Sequence, residues 1–526
     1  MREACRDGNV RVSLTAHTAS QGGMTAAMKE DDILHDLTPE QRVIINNSRF
    51  SNEDLAPIPA GDRTWSMINI AHLWVGMSVC IPTYMLASGL IEIGMNWWQA
   101  ILTVALGNLI VCIPMLLNGH AGTKYGITFP IFARAAFGIY GTHVASVLRA
   151  VVACGWFGIQ SWIGGYAIYR LAILAFPGMA DSYIIPLLSN DLVSVNIWQF
   201  LCFLLFWAIN IGLFLWKGMD SIKYIEHWGA PLLIAMGVAL LVWAWINADG
   251  FGPMLSQPDR FDTRADFWRA FFPGLTAMVG FWATLSLNIP DFTRHARSQK
   301  DQMMGQFLGL NTTMPFYAFV GVAVTSATIV IFGEAIWNPV DLLARFDNLG
   351  LILVSMFALA LATLTTNMAA NVVAPSTAFC NFLPKIISLR GGALITGIIG
   401  ILIMPWKLLA DPDGYIFTWL IGYSGLLGPI GGILVCDYFL IRRTRMKLAD
   451  LYEREGAYAY TYGVNIRAMV ALAVAIAPNV PGFLTRVDLI QASAFWADLY
   501  NYSWFTGFAV GFAVYGILMK MPGQKA

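Results

Sequence analysis

The sequence predicts an all-α polytopic membrane protein with twelve transmembrane helices, and three observations carry that prediction. Of its 526 residues, 57% are hydrophobic and only 12% charged, against about 45–50% and about 25% in an average soluble domain. Apolar stretches of about 20 residues, the length that crosses a hydrocarbon core, recur from Trp65 onward. Backbone polar groups cannot stay unpaired in lipid, so these stretches are helices rather than open strands. The 32 basic residues balance the 32 acidic ones. Those charges are too few to clothe several soluble domains, and the zero net charge offers no field for nucleic acid.

Residues 1–64 are polar and carry the acidic run Glu30-Asp31-Asp32. They are expected to form an unstructured cytoplasmic tail with no secretory signal peptide. Twelve spans follow, beginning near Ser66, Trp97, Val144, Val195, Gly229, Phe271, Gly309, Gly350, Gly392, Tyr415, Ala468 and Trp504. Residues 65–248 hold the first five, 249–441 the next five, and 442–526 the last two with the C-terminus. With both termini inside, the cytoplasmic side collects Lys124, Arg134, Lys217, Lys223, Arg294, Arg297, Lys300, Lys385, Arg390, the cluster Arg442, Arg443, Arg445 and Lys447, then Lys520 and Lys525. The segment from Leu171 to Asn196 has no Lys or Arg, as the positive-inside rule asks of an outer loop. The cysteines, Cys5 among them, are scattered singly, so neither a disulfide framework nor a zinc site is expected.

An internal repeat runs through this pattern. Span 1 contains Ser78-Val79-Cys80-Ile81-Pro82 and span 6 contains Ser286-Leu287-Asn288-Ile289-Pro290, 208 residues further on. The second copy begins an odd number of spans later, so it sits inverted in the membrane. A glycine precedes each copy, Gly76 and Gly280. Paired Gly/Pro interruptions at equivalent places predict two broken helices, 1 and 6, in a 5+5 inverted repeat, with a binding site between them.

Span 3 carries Gly155-Trp156-Phe157-Gly158-Ile159-Gln160. Trp156 and Gln160 are four apart and share a helix face. A glutamine in mid-bilayer needs a partner, either a neighbouring helix or a ligand. Span 8 is the most polar, with Ala362, Thr363, Thr365, Thr366, Asn367 and Asn371. Its hydroxyls either bond back to the previous turn or, with a backbone carbonyl, supply the all-oxygen cage that a hard monovalent cation prefers. Span 6 offers Phe281 and Trp282 at its weak point. Trp156 and Trp282 could sandwich a planar ring whose edge bonds Gln160 and Asn371, because a primary amide presents donor and acceptor side by side. No acidic residue is expected at that depth, which argues against a cationic substrate. No nucleophile with a base, paired carboxylates or histidine pair clusters at one depth, so no enzyme is expected.

The stretches Asn47-Ser48-Arg49-Phe50-Ser51-Asn52-Glu53-Asp54-Leu55-Ala56-Pro57, Trp156-Phe157-Gly158-x-Gln160, Thr365-Thr366-Asn367-x-Ala369-Ala370-Asn371, Met404-Pro405-Trp406 and Asp437-Tyr438-Phe439-Leu440 resemble the nucleobase:cation symporter-1 family, which includes transporters of hydantoins, allantoin and uracil. The resemblance implies a LeuT-type fold, with Trp156, Gln160, Phe281, Trp282, Asn367 and Asn371 around the substrate. It implies a sodium site of the backbone carbonyls of Gly76, Val79 and Ala362 with the hydroxyls of Thr365 and Thr366. Phe281 departs from the glycine of the hydantoin member and implies a smaller substrate. The expected protein is a cell (inner) membrane symporter that imports a small planar cyclic amide or ureide with a cation, sodium being the candidate and no other cofactor or protein partner being evident. Proton coupling, or a passive facilitator, is the alternative.

Overall fold

The structure, a computed structural model, describes residues 34–217 and 219–522, without the side chains of 217–230. Cys5, Glu30-Asp31-Asp32 and Lys525, with the side chains of Lys217 and Lys223, therefore lie outside the described residues. A short helix, α1 (Pro39–Asn47), precedes the bundle. The helices are α2 (Met67–Ser78), α3 (Ile81–Glu92), α4 (Trp97–Tyr125), α5 (Thr142–Ala175), α6 (Ile197–Lys217), α7 (Met219–Asn247), α8 (Arg264–Phe281), α9 (Ala283–Asn288), α10 (Gln299–Phe332), α11 (Leu349–Asn367), α12 (Val373–Phe382), α13 (Leu389–Leu402), α14 (Ile421–Val435), α15 (Ile466–Ile476) and α16 (Ser503–Lys520). Each of the twelve expected spans coincides with one helix or one helix pair. Eight of these helical stretches are long and apolar enough to cross a membrane by length and composition, or nine when α2 and α3 count as one bent span.

Both expected interruptions occur, the first between Gly76 and Pro82 and the second at the Phe281-Trp282 weak point of span 6. α2 and α3 meet at 57° across Val79 and Cys80. The Cys80 N–H turns back to the Ser78 carbonyl, only two residues away, and Pro82, at the second position of α3, needs no donor of its own there. The second interruption falls at Trp282, ahead of the Ser286–Pro290 stretch. A lesser one at Ile289 precedes Pro290. The Pro290 copy of the motif thus marks the end of the inner segment rather than its centre.

α10 lies along α2, α3, α4 and α7, while α11 packs on α5 and α7, and α16 on α14. α5 and α13 cross at a glycine pair. A Cβ on Gly158 would overlap the Gly400 carbonyl oxygen, so a close approach of two backbones depends on the missing side chain.

From residue 34 onward the tail departs from the unstructured extension expected of it. Leu55 is fully buried, and three guanidinium groups bind the carbonyls of the tail. Arg294 donates to Asp54 O and Ala56 O, and Arg134 to Phe50 O. Arg63 donates to Ile58 O and His35 O within the tail and ties it to Thr123 O and Lys124 O of α4. Backbone groups that find such donors do not need a helix or water to be satisfied, which is why low hydropathy did not mean disorder here.

Gly158→Ala is expected to overpack the α5–α13 crossing and cost about 1–3 kcal/mol. Gly178→Ala, where nothing lies within 4 Å, serves as the control. Detergent-solubilised melting temperatures check the pair, and only the first should fall.

Candidate binding site

The two broken helices, α5 and the polar part of the eighth span surround a small internal cavity of about 30 Å³. Trp156, Gln160, Phe281, Trp282, Thr366 and Asn371 line it together with Met77, Cys80 and Thr284. Five of the six side chains expected at the substrate are thus brought together from three separate spans. Asn367 is the exception. It is fully buried and turned away from the cavity, where its amide nitrogen reaches Phe157 O, Ser161 Oγ and Asn210 Oδ1 at 3.2–3.3 Å. Its own carbonyl oxygen accepts the amide N–H of Asn371 at 3.0 Å. Asn367 is therefore a positioning residue.

Asn371 owes its place to a widened stretch of helix, Met368–Val372, of π-type turns between α11 and α12. Pro375 follows four residues later and has no N–H to give the Asn371 carbonyl, so the helix relaxes into wider turns at that point. One N–H of the Asn371 amide is given to Asn367, which leaves its carbonyl oxygen and the second N–H for the cavity. Gln160 is 4% exposed and its Oε1 is buried without a hydrogen-bond partner among the described residues. An unpaired amide oxygen at that depth costs about 1–3 kcal/mol. The site therefore presents two carbonyl oxygens that call for N–H donors, beside the remaining N–H of Asn371.

Aromatic rings supply the walls. The Phe281 ring lies 5.1 Å from that of Trp156 and 4.9 Å from that of Trp282, edge-on to both. It occupies the region that the two tryptophans were expected to share with a ring. Trp282 is held from behind. Its indole N–H donates to Asn108 Oδ1 at 3.1 Å, and its ring meets Trp74 edge to face at 5.1 Å. Trp156 is backed by Tyr415, Trp419 and Tyr423 at 6.1–6.5 Å. The hydroxyls of the two tyrosines then reach the broken helices. Tyr423 donates to Gly280 O at 2.9 Å and Tyr415 to Pro82 O at 3.1 Å. Sequence reasoning missed this backing helix, although Tyr415, Trp419 and Tyr423 recur at intervals of four. It also missed Asn210, one of only two amide side chains in the apolar span α6 and placed deep inside it.

Around the expected cation ligands, Thr366 lines the cavity, and the Thr365 hydroxyl donates to Ala362 O at 2.7 Å. Gly76 lies in the last turns of α2 and Val79 at the break itself. No carboxylate or imidazole is among the cavity-lining residues.

The chain was compared with known proteins. A family model described as permease for cytosine/purines, uracil, thiamine, allantoin matches residues 57–507. The purine-uracil permease NCS1 of Arabidopsis thaliana is 45% identical, over 90% of this chain and 79% of its own length. The allantoin permease of Bacillus subtilis is 40% identical, over 90% of this chain and 94% of its own length. Among solved structures, Mhp1, a nucleobase-cation-symport-1 family transporter in a closed conformation with bromovinylhydantoin bound, is 25% identical with a TM-score of 0.71, covering 90% of this chain and 95% of that one. A Na+-coupled sialic acid symporter, 12% identical with a TM-score of 0.58 over 94% of this chain and 95% of that one, shares the fold.

Asn367→Ala leaves Ser161, Asn210 and Asn371 without their common partner and is expected to lower stability by about 1–3 kcal/mol. Asn371→Ala removes only one of those bonds and should cost less. Melting curves of the two purified variants test the order, which would invert if Asn371 held the network.

Proposed function

Because the chain belongs to the family of permeases for cytosine and purines, uracil, thiamine and allantoin, we propose that it is a symporter that imports a small planar cyclic amide or ureide, of the size of uracil or allantoin, driven by sodium. It is a transporter of that family and not an enzyme. The finer reading rests on one observation: the unpartnered Gln160 Oε1 and the Asn371 carbonyl face a cavity walled by Trp156, Phe281 and Trp282. A flat ring carrying N–H groups satisfies both oxygens and buries its faces against aromatic surface.

Size discrimination comes from Phe281. The cavity of about 30 Å³ has room for water but not for a ring. The Phe281 side chain therefore has to turn aside when substrate enters, and its bulk limits substituents on that substrate. Coupling by sodium is favoured over protons because no carboxylate or imidazole lines the cavity to carry a proton beside the substrate. The Ala362 carbonyl and the Thr365 and Thr366 hydroxyls supply oxygen ligands on the eighth span. Carbonyls near the break, at Gly76 and Val79 in the sequence reading, complete the cage. An ion held there ties the eighth span to the first and pre-forms the substrate site. The basic cluster Arg442–Lys447 and the tail share the cytoplasmic side of the cell membrane in this reading.

Substrate binding is expected to quench tryptophan fluorescence, and a panel of uracil, allantoin, hydantoin and dihydrouracil in sodium or choline buffer at fixed pH checks the reading. Sodium should tighten the substrate by about 5–150-fold, and Thr366→Ala should abolish most of that gain. Equal affinities in the two salts would overturn sodium coupling. Phe281→Gly is expected to admit bulky 5-substituted hydantoins that the parent excludes and to weaken small ligands, and an unchanged size preference in competition uptake would overturn its role.

A further inference from the structure

A second cavity, of about 150 Å³, lies next to the first and is about five times larger. The two are neighbours along two helices at once. On α3, Pro82 lines the central cavity and Met85 the second; on α5, Gln160 lines the central cavity and Ile163 the second. Each step is three residues, or about 4.5 Å of helix rise. Both steps lead away from the end of α5 that begins at Thr142. The Arg442 guanidinium lies near that end, bonded to Ala135 O just before α5. The second cavity therefore stands on the opposite face of the bundle from the basic cluster.

Its lining has the chemistry of a ring site. Trp162 and Tyr166, one turn apart on α5, hold their rings within 3° of parallel. Trp406 closes on Trp162 at 5.3 Å. The motif Met404-Pro405-Trp406 positions it: Met404 takes a left-handed backbone conformation with φ of 53°, Pro405 starts a short helical turn, and the indole N–H is anchored on Leu188 O at 2.7 Å. Polar groups enter from two other elements. Gln199 of α6 is buried and its side-chain amide makes no hydrogen bond among the described residues. Asp341, in the turn between α10 and α11, accepts the Tyr166 hydroxyl on Oδ1 at 2.9 Å. Burial pushes the Asp341 carboxyl above its ordinary value, an effect that the Tyr166 hydroxyl and the Arg170 and Arg345 charges only partly offset. Those two guanidiniums also repel a cationic ligand, so a neutral N–H donor suits this carboxylate best.

We propose that this second cavity is an outer waiting site for the transported class of molecule, a neutral planar ring with N–H donors. The ring stacks against Trp162, Tyr166 and Trp406, gives an N–H to Asp341, and bonds the Gln199 amide. Passage to the central cavity then needs one helical turn of movement past Met85 and Ile163. The proposal rests on the reading of the protein as a transporter of planar cyclic amides.

Equilibrium binding of radiolabelled uracil and allantoin to the purified full-length chain in sodium buffer tests it. The parent is expected to bind two molecules per chain in two phases. Asp341→Asn, which preserves an acceptor for Tyr166, and Gln199→Ala should each weaken the looser phase tenfold or more and leave the tighter one intact. Asn371→Ala should weaken only the tighter phase. One molecule per chain in the parent, or a second phase unmoved by both Asp341→Asn and Gln199→Ala, overturns the outer site while leaving the transporter reading in place. Failure of uracil and allantoin to bind in either phase overturns both.

Discussion

Breaking a helix in a dry interior frees backbone groups that must be paired again within the protein, and this requirement organises the structure. At the first break, the Cys80 N–H finds the Ser78 carbonyl; at the second, the Gly280 carbonyl takes the Tyr423 hydroxyl. Tyr415, on the same backing stretch, bonds Pro82 O beside the first break. One helical face thus serves both broken helices, and the same face carries Trp419 against Trp156. The wall of the cavity and the repair of the backbone are a single packing arrangement, so a change in one is felt by the other.

The amide groups obey the same logic. Asn367 spends its nitrogen on three acceptors from the third and fourth spans and its oxygen on Asn371. With one N–H so engaged, Asn371 keeps its oxygen and its second N–H to offer. Gln160 keeps an oxygen with no partner at all. A folded protein tolerates such an orphan when the group has work with a ligand, and the orphan lies among aromatic rings that suit a planar molecule. Phe281, edge-on to both tryptophans, fills the space between them, and under the proposed function its turning is what sets the size of the incoming molecule.

On the side of the basic cluster, buried guanidinium groups do the work that helices do elsewhere. Arg63, Arg134 and Arg294 gather carbonyls from the segment before the first span and from the ends of neighbouring helices. Arg442 pairs with buried Asp437 at 2.7 Å and reaches Ala135 O. Burial of the planar, always-charged arginine fork is offset by the carbonyl acceptors that its terminal N–H groups reach, although Arg134 Nε and Arg294 Nε are buried without a partner among the described residues. The basic residues counted in the sequence as orientation signals are in these cases also structural ties.

Composition and span length alone determined that the chain is a helical membrane protein, because the number of apolar residues leaves no soluble alternative. The spacing of Trp156 and Gln160 put them on one face, since that depends only on the pitch of a single helix. The Gly and Pro of spans 1 and 6 announced interruptions, because local backbone chemistry makes them weak. Tertiary structure decided the rest. The break in span 6 fell at the Trp282 weak point, but only the packed fold brought the Tyr423 hydroxyl to the carbonyl of Gly280 there. The Asn367 amide nitrogen lies off the cavity because Ser161 and Asn210 came from other helices to meet it. The tail was held by arginines up to hundreds of residues away, and the second cavity took its carboxylate from the short helix Pro339–Leu343, far in sequence from Trp162. Such contacts depend on how helices cross, and the crossing angle and register are properties of packed surfaces that no local pattern contains.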